Sequence, residues 1–147
     1  MDIGFQFEVI YKDSDLLQVR VSAWNGAFGG TAEVYVGIGK LEEAAAQPKG
    51  FPNDPSDTRE VVWGAFGSQS AGGGVSMRFY CADASGHAYV DAKIQSDSLP
   101  GKPVQFVNLS QPIEASAVDS FVDELRLVGV RKAGVARLEG VPTAVRP

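Results

Sequence analysis

The sequence is poor in the residue types that build most catalytic and metal centres. It has one cysteine, Cys81, and one histidine, His87. A lone cysteine excludes an intramolecular disulfide and a cysteine-built zinc site. A lone histidine removes histidine-rich metal sites, and strand parity puts it and Cys81 on opposite faces, against a Cys–His dyad. No apolar run approaches the ~18 residues needed to span a bilayer. Basic residues are the scarcer charge, 13 against 18 acidic, for a net charge of −5. The deficit lies in the body: residues 1–125 carry 8 basic and 17 acidic side chains, a balance of −9. Such a surface repels phosphate, so nucleic-acid binding is not expected. Residues 126–147 reverse the sign, with Arg126, Arg131, Lys132, Arg137 and Arg146 against Glu139. The N-terminus has no basic segment followed by an apolar one, which speaks against a secretory signal. The expected location is therefore cytoplasmic.

What is present is a chain of 147 residues, 44% hydrophobic, with 17 glycines. That suits one globular domain with many turns. The first third alternates with period two, the mark of half-buried strands. Phe5, Phe7, Val9 and Tyr11 share one face, as do Leu17, Val19 and Val21, and then Ala32, Val34 and Val36. A three-residue loop at Asp13–Asp15 pairs Val9 with Val19 and Glu8 with Arg20. A two-residue loop at Asn25-Gly26 pairs Leu17 with Val34. Ile38, Leu41 and Ala45 then fall at helical spacing, so a short helix is expected over 38–47, stopped by Pro48 and Gly50.

Strands are expected over 58–66 and 103–110, with a clear hairpin between them. Val75, Met77, Phe79 and Cys81 alternate with Ser76, Arg78 and Tyr80; Ala88, Val90, Ala92 and Ile94 alternate with Tyr89, Asp91 and Lys93. A four-residue loop at Asp83–Gly86 sets Phe79 against Val90, Tyr80 beside Tyr89 and Arg78 beside Asp91. A two-residue loop would oppose Arg78 and Lys93. The Ser/Gly segment 69–74 before it reads as a flexible turn. Ser116 with Asp119 resembles a capping box, and Val118, Phe121, Val122 and Leu125 form one apolar stripe, so a second helix is expected over 116–127. The expected fold is α+β, mostly β: a single antiparallel, curved sheet of about seven strands packed with two helices. Residues 1–127 form the domain. Residues 128–147 form a basic tail, with Val135 to Leu138 either an edge strand or part of a mobile end.

No chemistry-bearing constellation emerges, and no catalytic, cofactor or metal residue is assigned. Asp83, Ser85 and His87 share one tight turn, where three side chains rarely converge as a relay; Asp83 fits a turn cap better. Gly37-Ile38-Gly39-Lys40 lacks the spacing of a phosphate loop. The carboxylate pairs Asp13/Asp15, Glu42/Glu43 and Asp54/Asp57 sit where both members ionise. The aromatic residues are more telling. Tyr35, Tyr80 and Tyr89 take polar-face positions and Trp24 lies at a strand end, together a candidate partner surface. Trp63 is expected to be covered.

The succession Phe28-Gly29-Gly30-Thr31-Ala32-Glu33-Val34-Tyr35, a short helix, Phe51-Pro52, Gly74 to Phe79, Gly86 to Val90 and a helix carrying Leu125 resembles an uncharacterised family of small bacterial α+β domains. It is also similar to small immunity proteins that accompany secreted bacterial toxins. The likeness spans most of residues 5–127 and brings no catalytic residues. It implies a non-catalytic protein-binding domain, and the acidic body suits a basic partner. The alternative is a small-molecule binding domain with a pocket between sheet and C-terminal helix, lined by Phe79, Trp63 or Phe121.

Overall fold

The computed structural model describes residues 2–66, 72–97 and 100–142. The elements run β1 (Gly4–Lys12), β2 (Leu16–Trp24), β3 (Gly29–Gly37), α1 (Lys40–Ala45), β4 (Arg59–Gly64), β5 (Gly74–Cys81), β6 (Ala88–Gln95), β7 (Phe106–Ile113), α2 (Ala115–Arg131) and β8 (Val135–Glu139). The fold is α+β with antiparallel pairing throughout. The single sheet of about seven strands is corrected, however, to two sheets of four, ordered β3-β2-β1-β8 and β4-β5-β6-β7. Alternation tells which side chains point inward but not which edges join. Two helices, of 6 and 17 residues, cannot cover eight strands, so the sheets cover each other's apolar faces and one core lies between them.

The sheets cross rather than align. Gly64, Gly74, Gln95 and Phe106 form a row across the end of the second sheet, perpendicular to its strands. Strand β3 runs along that row. Gly30 abuts the Val107 side chain, Ala32 abuts Gly73, and Val34 abuts Gly64. This is orthogonal packing. Contact is close enough that a Cβ on Gly73 would collide with the Gln95 carbonyl oxygen, and the Gly73 N–H donates to the Glu33 carbonyl at 2.8 Å. Gly72 to Gly74 are buried at this junction, which corrects their reading as a flexible turn. Residues 69–71 of that expected turn, and Arg146 of the expected tail, lie outside the described residues.

The hairpins show how local chemistry sets register. In β5–β6, Phe79 faces Val90, Tyr80 faces Tyr89 and Arg78 faces Asp91, as the four-residue loop requires. In β1–β2, Val9 faces Val19 and Glu8 faces Arg20, as expected. The expected three-residue loop is not how this is reached. A bulge between Val9 and Tyr11 shifts the turn-proximal pairs to Tyr11–Gln18 and Lys12–Leu17. It also turns Tyr11 out of the apolar face, where it is exposed. In β2–β3 the expected Leu17–Val34 pair becomes Leu17–Val36, a shift of two residues. The Asn25 carboxamide oxygen accepts from the Ala27 and Phe28 N–H groups, so a four-residue Asx-type turn replaces the two-residue loop. An even shift keeps every side chain on its expected face.

Helix α1 is shorter than the expected 38–47. Ile38 lies outside it and is exposed, while Leu41 and Ala45 are buried one turn apart. Helix α2 begins earlier and ends later than 116–127. Glu114, in extended conformation, is the N-cap residue, and Ser116 falls inside the first turn. The strand expected over 103–110 runs Phe106–Ile113 and leads straight into α2. The expected division at residue 127 thus falls within α2. Beyond it, β8 pairs with β1, and Ala136 and Leu138 are fully buried. At the centre, the Phe7 ring lies 4.8 Å from Trp63 and 5.4 Å from Phe121, joining both sheets and α2. Among the described residues no helix is long and apolar enough to cross a membrane.

Candidate functional site

The outward face of the second sheet carries the most organised surface of the molecule. Inward residues Val75, Met77, Phe79, Val90, Ala92 and Ile94 are buried, so period-two alternation places Ser76, Arg78, Tyr80, Tyr89, Asp91 and Lys93 on the other side. Strand β7 extends the same face with Phe106, Asn108 and Ser110. The two expected tyrosines meet there. Tyr80 and Tyr89 are directly opposite, with ring centroids 5.9 Å apart and planes at 22°. Such a stack adds about 0.5–1.5 kcal/mol beyond its buried area.

A polar network fixes the pair. The Tyr80 hydroxyl donates to Asp91 Oδ1 at 3.0 Å, and the Ser110 hydroxyl donates to the same oxygen at 2.6 Å. Partial burial, with the Asp91 carboxylate beside it, pushes the Tyr80 phenol above its usual range. Register places Arg78 opposite both Glu60 and Asp91. Its guanidinium instead lies 4.8 Å from the Tyr80 ring centroid. The Lys93 ammonium rests 5.1 Å from the Phe66 ring and 5.8 Å from the Phe106 ring. Arg78, Asp91, Lys93 and Ser110 border a depression of about 620 Å³ whose lining also includes Asn25 and Phe28, beside the tyrosine pair rather than at it. The Asn25 amide donates to the Ser110 carbonyl at 3.1 Å, which fixes the hairpin tip that presents Phe28. Phe28 and Phe106 are 64% and 66% exposed, high for phenylalanine.

The other two expected surface residues lie elsewhere. Tyr35 is on the outward face of β3, exposed, beside a cleft along β4. Trp24 ends β2, half-buried, opposite Gly4 and Gly29. Neither joins the Tyr80–Tyr89 pair. Phe28, Phe106 and Ser110 were not singled out in the sequence. The Asn25 turn carried the signal for the first, and the correct register of β7 would have supplied the others.

The remaining candidates resolve into local roles. Asp83 Oδ1 accepts from the Ser85 and His87 backbone N–H groups, and Oδ2 lies 2.6 Å from His87 Nδ1. Ser85 takes part through its backbone alone. The His87 contact holds the Asp83 carboxyl below the usual carboxylate range. Asp13 caps its turn through the Asp15 and Leu16 N–H groups, and Asp54 does so through Ser56. Arg59 grips Asp57 through two bonds of 2.8 Å and donates to the Gln47 and Lys49 carbonyls at 2.9 Å, tying the loop after α1 to β4. Lys40 pairs with Glu43 at 3.1 Å. Phe79, Trp63 and Phe121, the expected pocket lining, are core residues packed in aromatic contacts. Burial raises the Cys81 thiol pKa, so it stays protonated at neutral pH. No group of three or more metal-ligating side chains occurs among the described residues.

The chain matches no protein-family model, no curated protein and no solved structure.

Proposed function

We propose that this chain is a non-catalytic protein-binding domain of the immunity type, acting in the cytoplasm, and that the outward face of the second sheet is its recognition surface. The observation that carries this is the Tyr80–Tyr89 stack, held by Asp91 and Ser110 on the outward face of the second sheet. Aromatic rings pinned before a partner arrives lose little side-chain entropy on binding, as interface anchors require. Arg78 and Lys93, resting on rings, add cations to the same patch. The face itself is near neutral. Long-range attraction of a basic partner falls to the whole molecule, at −5.

Immunity-type inhibitors neutralise a toxin produced by the same cell. The test is therefore calorimetric titration of the chain with the protein encoded immediately upstream in its native genome. The expected result is a dissociation constant below about 1 μM that weakens at least about tenfold in Tyr80→Ala/Tyr89→Ala and in Arg78→Glu, each checked for an unchanged melting curve. No binding at about 100 μM, or equal binding by the variants, overturns the reading.

A further inference from the structure

We propose that the free edge of β4 accepts an extended, basic peptide segment of a partner protein by strand addition. The inference goes beyond the outward-face reading and does not depend on it. Two open four-stranded sheets have four edges, and three are engaged. The β3 edge accepts the Gly73 N–H at Glu33 O. On β8 the Arg137 N–H donates to the Glu124 carboxylate of α2 at 2.8 Å. On β7 the carbonyls of Pro112 and Ser110 accept from the Val141 N–H and the Asn25 side chain. Strand β4 pairs only with β5, and among the described residues nothing bonds the backbone of its outer edge. An open row of backbone donors and acceptors is a template for another strand.

A slot lies along this edge. It measures about 330 Å³ and is lined on one side by both inward and outward residues of β4, Glu60 to Gly64, which places it at the strand's edge rather than on a face. Tyr35, Lys40 and Gln47 form the opposite wall. Val62 is 52% exposed, an apolar side chain with no cover. The charge of the slot selects its occupant. Lys40 is neutralised by Glu43, whereas Glu60 has no ion pair among the described residues, leaving one net negative charge in a chain that is itself acidic. Glu60 and Val62 lie two residues apart on the outward face, so an extended segment carrying a basic and a small apolar residue two apart would pair its backbone with β4, set the apolar side chain against Val62 and the cation against Glu60.

The probe is the capped pentapeptide Lys-Thr-Val-Thr-Lys, whose lysine and central valine are two apart, followed by amide hydrogen exchange of the full chain. The expected result is slowed exchange confined to 59–64, with Glu-Thr-Val-Thr-Glu and Lys-Thr-Pro-Thr-Lys each at least about tenfold weaker, the latter because proline removes a ladder donor. Glu60→Lys should weaken the basic peptide and strengthen the acidic one, while Tyr80→Ala/Tyr89→Ala should leave both unchanged. Absence of protection at millimolar peptide overturns the proposal, as does equal binding of the proline peptide. Sedimentation of the chain alone should show a monomer. A dimer with β4 already protected would assign the edge to a second copy and overturn the peptide reading.

Discussion

At the scale of single residues, Arg59 and Asp91 do most to fix the surface. Arg59 satisfies two backbone carbonyls and one carboxylate from a partly buried position. Arg59→Ala should lower unfolding stability by about 1–3 kcal/mol, read as a shift in denaturant midpoint, with Arg59→Lys intermediate because lysine lacks the planar fork. The pH dependence follows with a definite sign. Hydrogen bonding by Arg59 depresses the Asp57 carboxyl in the folded state. The stabilisation is present above the unfolded carboxylate pKa, about 3.9, and lost as pH falls through the lower folded value. Arg59→Ala should therefore flatten the stability profile below about pH 4. Asp91 belongs to the recognition surface. Removing its charge by Asp91→Asn should lower the Tyr80 phenol pKa from its raised position, measured by ultraviolet titration of tyrosinate against Tyr80→Phe.

At the scale of elements, strand faces were legible in the sequence and edges were not. Hydrophobic alternation set the β5–β6 register and the Tyr80–Tyr89 pair because a one-residue slip would exchange core and solvent. Turn details escaped where several loops preserve the same parity. The β1 bulge and the Asn25 turn both leave the core unchanged while moving Tyr11 outward and presenting Phe28. Pairing between sheets escaped because it depends on the approach of distant backbone, visible only as glycine. The Gly73 junction makes this testable. Gly73→Ala forces a side chain against the Gln95 carbonyl and should cost about 1–3 kcal/mol in thermal or denaturant unfolding. Gly50→Ala, with open space around its Cβ position, is the control: it carries only the strain of its positive φ.

At the scale of the whole molecule, one core serves both sheets and both helices, so damage at any layer should be felt throughout. Phe121 is fully buried against Phe7, which also touches Trp63. Phe121→Ala should lower stability by about 3–5 kcal/mol and keep a single unfolding transition. Truncation after Lys132 removes the buried Ala136 and Leu138 and uncovers the β1 edge. It should abolish cooperative unfolding in calorimetry; an unchanged transition would show that the chain beyond α2 is dispensable. The basic residues there marked a tail by composition, yet alternation of Ala136 and Leu138 with Arg137 and Glu139 is strand periodicity in miniature. Five residues are too few for that pattern to decide between the two expected alternatives, an edge strand, which is the one observed, and a mobile end.

An exchange footprint of the chain bound to its upstream-encoded partner tests the central assignment most directly. Protection should gather on 76–80 and 89–93, the strands bearing the stacked tyrosines, and on 106–110 of the neighbouring β7. A footprint confined to the outward face of β1, β2 and β3 would contradict it.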